Sequence, residues 1–447
     1  MGENFGSNKA NVSLCYSSPI SSQYLEEIQS NIRVRPIPWE GYVRANLITT
    51  EEASLIKTIE KLPKDKSVAI IAKDSDIYAA KLIGILSRIT RDDVVKYILS
   101  LVGDFASDSP EFRESLLGLK DPQTFDVLTK LLDKPDEQTH LLSIKALITL
   151  IGQSSDDKSA VKLALAYISK KLASSPNANL QDIAVQAYSS LLQVKKFRPL
   201  FWESRNEIVP SLIKILNASQ GNLQLQYYTL LVFWLVTFEK QPAADVVTEF
   251  DLVPTLLNIT KNSVKEKIVR LAVATLVNTI NNASKVSVPA LLSHSCLELV
   301  KTLAERKWTD EELIEDLDFL KTTLQEAFDS MTTFDEYGSE IIGKNLKWSP
   351  PHRSETFWKE NIGKFKEGDW KILKALSNII TSSQDPVTLA VGSNDVSRII
   401  SELPESLKVF EKLGTKVKIM ELMNHPDSDV RYEALKATQT FIAHSFK

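Results

Sequence analysis

Two cysteines, four methionines, five histidines and fourteen glycines are few for a chain of 447 residues, and each scarcity excludes something. Cys15 and Cys296 lie far apart and cannot staple a disulfide framework; they read as reduced thiols of a cytosolic chain. So few glycines argue against phosphate-cradling loops or many tight hairpins, which need positive φ or close backbone approach. Charge of one sign is missing too. Lysine and arginine number 53 against 57 acidic residues, a net charge of −4, so no basic excess invites nucleic acid. The longest apolar run, residues 229–238, is about half the roughly 20 residues of a membrane-spanning helix, so it reads as a buried helix and no membrane insertion is expected. Met1-Gly2 is followed by Gly6 rather than Ser or Thr, with no basic and then apolar leader behind it. Neither a lipid anchor nor a secretion signal is expected.

Catalytic signatures are absent as well. There is no G-x-x-x-x-G-K-[ST] loop, no G-x-G-x-x-G after a strand, no H-E-x-x-H and no C-x-x-C. His140, His294, His352, His425 and His444 are scattered and read as surface or cap residues. Asp310, Glu311, Glu312 and Asp316 sit at the start of a predicted helix, where carboxylates meet the macrodipole. No catalytic, cofactor-binding or metal-ligating residue is therefore expected.

What is present is helical period. After a Ser- and Asn-rich stretch over 1–22, expected to be a disordered tail, segments with apolar residues at i, i+3, i+4 and i+7 follow one another. Segments 142–150, 183–191, 225–233 and 268–276 share a further pattern. Each has a large apolar residue, a small one four positions later (Ala146, Ala187, Thr229, Ala272), and a second large one four after that. The small residues recur at steps of 41, 42 and 43, within the roughly 40–47 residues of HEAT and armadillo units. The expected fold is all-α: a HEAT/armadillo-like α-solenoid over 23–347 and a second, smaller helical C-terminal domain over 353–447. Thr309 and Glu312 form a capping-box pattern that opens one long helix, expected from Trp308 to about Lys344. The prolines of Trp348, Ser349, Pro350, Pro351 and His352 then predict a stiff extended linker that either bends or only ends the helix. Near the C-terminus, Val430, Ala434 and Leu435 are expected on one buried helix face. Trp202 with Asn206 is one copy of the pair that armadillo import receptors repeat along a peptide groove. Trp39, Trp348, Trp358 and Trp370 fall near predicted element ends, as core, joint or partner anchors.

Several stretches then resemble one family. They are Ile32-Arg-Val-Arg-Pro-Ile-Pro-Trp39, Phe201-Trp202, Leu225-Gln-Tyr-Tyr228 with Phe233-Trp-Leu235, and Val264-Lys-Glu-Lys-Ile-Val-Arg270. Further on come Leu303-Ala-Glu-Arg-Lys-Trp-Thr-Asp-Glu-Glu312, Thr333-Phe-Asp-Glu-Tyr337, Leu346-Lys-Trp-Ser-Pro-Pro-His352, Phe357-Trp358, and Met423-Asn-His425 with Val430-Arg-Tyr432. Together they resemble the H subunits of vacuolar proton-translocating ATPases (V-ATPases), and the ending Tyr432-Glu-Ala-Leu-Lys-Ala-Thr-Gln439 resembles fungal members. A departure is Thr415, where the family often has a second glycine after Gly414.

The resemblance implies the same two-part helical fold and a non-catalytic regulatory role on the cytosolic face of the vacuolar membrane. Its implied partners are the E and G subunits of the peripheral stalk and the cytosolic domain of the membrane-embedded a subunit. In the detached, inhibited sector they are the catalytic hexamer and the central rotor. On that footing the expected partner-facing residues are Ser382, Ser383, Gln384, Asp385 and Pro386, with Asp395 and Arg398 nearby, and the hinge is Trp348 to His352. Two other classes stand beside this reading: an armadillo-type adaptor unrelated to the pump, and an enzyme with a cluster of perturbed ionisable groups.

Overall fold

Short polar residues ahead of apolar runs start the helices. Ser109, Asn177, Asn222, Ser354 and Asp385 each accept a hydrogen bond from a backbone N–H two or three residues on, satisfying donors of a first turn. Pro110, Pro350 and Pro386 take first helical positions, where a missing N–H costs nothing. A full capping box forms at Thr49: Glu52 N–H donates to Thr49 Oγ1 (3.1 Å) and Thr49 N–H to Glu52 Oε2 (2.8 Å).

The computed structural model describes residues 20–60, 62–154, 158–219, 221–330 and 333–445, and every regular element among them is helical. Two compact units divide the chain, Met1–Glu239 and Lys240–Lys447.

In the first unit, five helices matter here: α1 (Gln23–Val34), α2 (Asp92–Asp108), α3 (Glu137–Ser154), α4 (Ala178–Gln193) and α5 (Leu223–Val236). Helix α2 packs on α3, α3 on α4, and α4 on α5, the successive stacking of a solenoid. The repeat's small residues Ala146, Ala187 and Thr229 are fully buried, as close helix crossing requires. Helix α5 is buried on nearly all sides, with Leu230, Val232, Phe233, Leu235 and Val236 all inside, which explains its unbroken apolar run. Trp202 is buried and Asn206 exposed, so the two do not share a peptide-binding surface. Of the tail expected over 1–22, residues 1–19 lie outside the described residues, and the last three are packed. Ile20 and Ser22 are buried, and the Gln186 side chain accepts from Ser21 N–H (2.8 Å) and donates to Ser21 O (2.9 Å). A long-range amide of this kind leaves no local trace in the sequence.

The second unit contains α6 (Glu266–Ser293), α7 (Glu311–Ser330), α8 (Thr333–Ile342), α9 (Pro350–Arg353), α10 (Glu367–Ser382), α11 (Pro386–Glu402) and α12 (Ser428–Ser445). Helix α6 carries the fourth repeat residue, Ala272, fully buried, and is broken at Ala283 (φ −146°). It packs against both α7 and α8, so the last repeat helix and the helices after it share one unit. Of the single long helix expected from Trp308 to Lys344, the described parts are α7, which starts only at Glu311, and α8; residues 331–332 between them lie outside the described residues. Its cap also differs: Leu313 N–H donates to Asp310 Oδ1 (3.1 Å), while Glu312 pairs with Arg270. Val430 and Ala434 are buried as expected, but Leu435, one residue further round the helix, is 49% exposed.

An apolar core runs from Tyr337 to Phe441, drawing on α8, α10, α11 and α12 and on Trp358 and Phe365 between them. Helices α11 and α12 pack along each other, and α10 crosses α11 closely at Gly392. A Cβ there would lie 2.8 Å from Ile380 Cγ1 and 3.6 Å from Leu346 Cδ1. Thr415, the departure noted above, is buried and bonded through its hydroxyl to Ser377 (2.7 Å). Overpacking predicts that Gly392→Ala destabilises the chain by about 1–3 kcal/mol, read as a lower urea midpoint; an unchanged midpoint would show that α10 and α11 can separate freely.

Candidate functional site

Two residues that sequence placed in different roles meet inside the second unit. The two prolines do not make an extended linker: both fit a first helical turn, and Pro350–Arg353 is a short helix whose Pro351 and His352 are buried. Trp348 packs half-buried against the core, with the Arg353 guanidinium 5.3 Å over its ring. The expected hinge residues are thus part of a packed turn.

His352 sits between two carboxylates. Its Nδ1 is 2.8 Å from Asp395 Oδ2 and its Nε2 is 3.0 Å from Glu340 Oε2, and both the His352 and Asp395 side chains are fully buried. A ring nitrogen facing a carboxylate must donate, and both nitrogens donate only in the imidazolium. Asp395 also accepts from Tyr337 Oη (3.1 Å) and from Asn394 Nδ2 (3.3 Å), which marks it as the ionised form. Asn394 Nδ2 donates further to the His352 carbonyl (3.1 Å), holding the turn by its backbone.

Electrostatics agree with this geometry. Burial alone would lower the pKa of His352; the charge and hydrogen bond of Asp395, with Glu340 behind them, raise it to about 9. For Asp395, burial outweighs the opposing His352, Tyr337 and Asn394 and leaves the pKa raised, so it is the geometry of donors around it that keeps the carboxylate an acceptor. Burial of Glu340 is outweighed only by the combined hydrogen bonds and charge of its neighbours, His352 foremost, and its pKa falls. Burial and the nearby Asp395 push Tyr337 well above its ordinary value, so it stays a donor. Helix α8 supplies Tyr337 and Glu340 one turn apart, α9 supplies His352, and α11 supplies Asn394 and Asp395. Tyr337, Glu340 and Asn394 were missed by sequence reasoning; the Tyr-x-x-Glu spacing on one helix face was the available signal.

Asp395 was expected to face a partner. Its place in the core removes it from any contact surface. The loop behaves otherwise. Ser382, Gln384, Asp385 and Pro386 are exposed, Ser383 is half-buried, and Asp385 caps α11 through Thr388 N–H (2.8 Å). Arg398 is half-buried, 3.7 Å from Glu355. The structure thus brings Asp395 to His352 and leaves the 382–386 loop at the surface. Among the described residues no group of three or more His, Cys, Asp or Glu is arranged to hold a metal ion. Cys296 is buried, which pushes its thiol up to about 12 and keeps it protonated.

Two family models, both described as the H subunit of V-ATPase, match the chain, one over residues 23–324 and the other over residues 330–446. Among curated relatives, the H subunit of the V-type proton ATPase of Drosophila melanogaster is 27% identical over 438 residues, covering 96% of this chain and 92% of its own. That of Dictyostelium discoideum is 29% identical over 422 residues, covering 93% and 94%. A designed armadillo repeat protein aligns with TM-score 0.46 at 14% identity, over 55% of this chain and 99% of its own.

The histidine has a consequence for stability. With its pKa raised from 6.5 to about 9 in the folded chain, the fold holds more protons than the unfolded chain between those values. The stabilisation, on the order of 3 kcal/mol, is fully present below pH 6.5 and is lost as pH rises through about 9. Urea midpoints measured across that window should fall for the natural chain, and His352→Gln should remove the slope. A flat profile for the natural chain would mean that His352 is not an imidazolium.

Proposed function

The chain belongs to the family of V-ATPase H subunits, and on that premise we propose that it is a non-catalytic regulatory component of a vacuolar-type proton pump. It acts in the peripheral, ATP-hydrolysing sector. The assembled enzyme needs it for ATP-driven proton transport, and in the detached sector it inhibits ATP hydrolysis. The observation that carries this reading is the agreement of both family models with nearly the whole chain, 23–324 and 330–446. No helix among the described residues is long and apolar enough to cross a membrane, which is compatible with peripheral attachment on the cytosolic face.

The inhibition has a mechanical form. A rotary machine stops when one body grips its stator and its rotor together. The stacked helices of the N-terminal part hold the E and G subunits of the peripheral stalk through an extended surface. The C-terminal core exchanges partners: the cytosolic domain of the membrane-embedded a subunit in the whole pump, and the catalytic hexamer and central rotor in the detached sector. To move the bound fraction from 1:99 to 99:1, the two contacts must differ by about 5.5 kcal/mol. Buried anchors of about 2 kcal/mol or more each can supply that difference. The contact surface we assign includes Ser382, Ser383, Gln384, Asp385 and Pro386 with Arg398, and it omits the buried Asp395.

Purified chain added to vacuolar membranes that lack this protein should restore hydrolysis and proton pumping. Added to detached sector lacking it, the same chain should suppress hydrolysis. If folded chain changes neither, the reading is wrong and a solenoid adaptor is the better account. Replacing Ser382, Ser383 and Gln384 by glycine leaves the Asp385 cap in place. That variant should still bind the E and G stalk while its suppression weakens about tenfold, a change of ~1.4 kcal/mol; undiminished suppression would exclude the loop from the contact.

A further inference from the structure

Helix α7 buries one face and leaves the opposite one in an unusual state. Leu313, Leu317, Leu320 and Leu324 are sequestered against α6 and the helix Cys296–Ala304. Between Asp310 and Asp329 the sequence has eight carboxylates and one cation, Lys321, in a chain whose charges otherwise nearly balance. Arg270 takes up Asp310 and Glu312. Glu311, Glu315, Asp318 and Glu326 are exposed, and none of them forms an ion pair among the described residues.

Those carboxylates succeed one another at spacings of four, three and eight residues, so they share one face. Like charges at i, i+3 and i, i+4 weaken a helix by about 0.2–0.5 kcal/mol per pair. The macrodipole favours acids only in the first turn, and Glu326 lies in the last third of α7, where it favours cations. Apolar groups flank the row: Ile314 is 48% exposed on one side of the stripe and Phe319 37% on the other. An acidic centre with apolar edges is the complement of a helix that carries lysine or arginine along one stripe and apolar side chains beside it.

We propose that the exposed face of α7 is a docking surface for a basic amphipathic helix of a partner protein. The partner's cations neutralise Glu311, Glu315, Asp318 and Glu326, and its apolar side chains cover Ile314 and Phe319. This goes beyond the pump reading, and its test does not use the pump.

The probe is a dye-labelled synthetic peptide of about 20 residues, matching the ~30 Å of α7, with lysine along one face and leucine along the edges. A second peptide has glutamate in place of every lysine. Anisotropy with the full chain should show binding of the lysine peptide, weakening with added salt, and none of the glutamate peptide. Glu315→Lys with Asp318→Lys should weaken binding at least about tenfold, and Phe319→Ala several-fold at high salt as well as low. Reversing Glu114 and Asp126, exposed acids of the first unit, should have no effect. Equal binding of both peptides, an unchanged affinity after reversal on α7, or an equal loss from the control reversals would overturn the proposal. Folding is checked with Glu315→Gln and Asp318→Asn, which should weaken binding while leaving the melting midpoint level or higher. A lowered midpoint would make the row structural and overturn the proposal as well.

Discussion

A helix in this chain cannot bury its apolar face alone, and most of the structure follows from that. Each helix must lie against the next, and close approach needs a small side chain where axes cross. Ala146, Ala187, Thr229 and Ala272 are such side chains, all with no exposed surface. Within the second unit Gly392 answers the same need between α10 and α11, where even a methyl group has no room. The apolar run of α5 is long because that helix has neighbours on nearly every side.

Inside the second unit, buried charge gathers densely around His352. His352 between Asp395 and Glu340 places three charged groups where burial penalises each, and every hydrogen bond of the imidazolium is satisfied. Such a cluster adds little net stability compared with a well-packed apolar replacement, but breaking it by removing one partner costs about 3–5 kcal/mol. Its effect is to specify register. It joins α8, α9 and α11, and Asn394 holds the turn's backbone from the same helix that carries Asp395. Whatever contacts the 382–386 loop makes, the loop leads into α11, one of the helices fixed in this way.

The sequence showed what repeats and what is local. Helical period, the small-residue step of 41 to 43 and the buried run at 229–238 were all legible, because each is written in neighbouring positions. The capping pattern at Thr309 misled because Arg270, 42 residues earlier, draws Glu312 away and leaves Asp310 to cap. Trp348 to His352 looked like a linker since two prolines end a helix, yet they also begin one, and only the tertiary partners decide. The candidate site itself was half legible: His352 and Asp395 were both singled out, for separate reasons, and nothing in a one-dimensional pattern puts residues 43 apart within 2.8 Å.

The central physical claim is that the turn at 348–352 is a pinned part of the C-terminal core. Amide hydrogen exchange over residues 346–354 in the full chain tests it most directly. The account predicts protection there comparable to that of the buried helix Pro386–Glu402, to which His352 and Asn394 tie it. Exchange as fast as that of the exposed 382–386 loop would contradict it and return the turn to the role of a free linker.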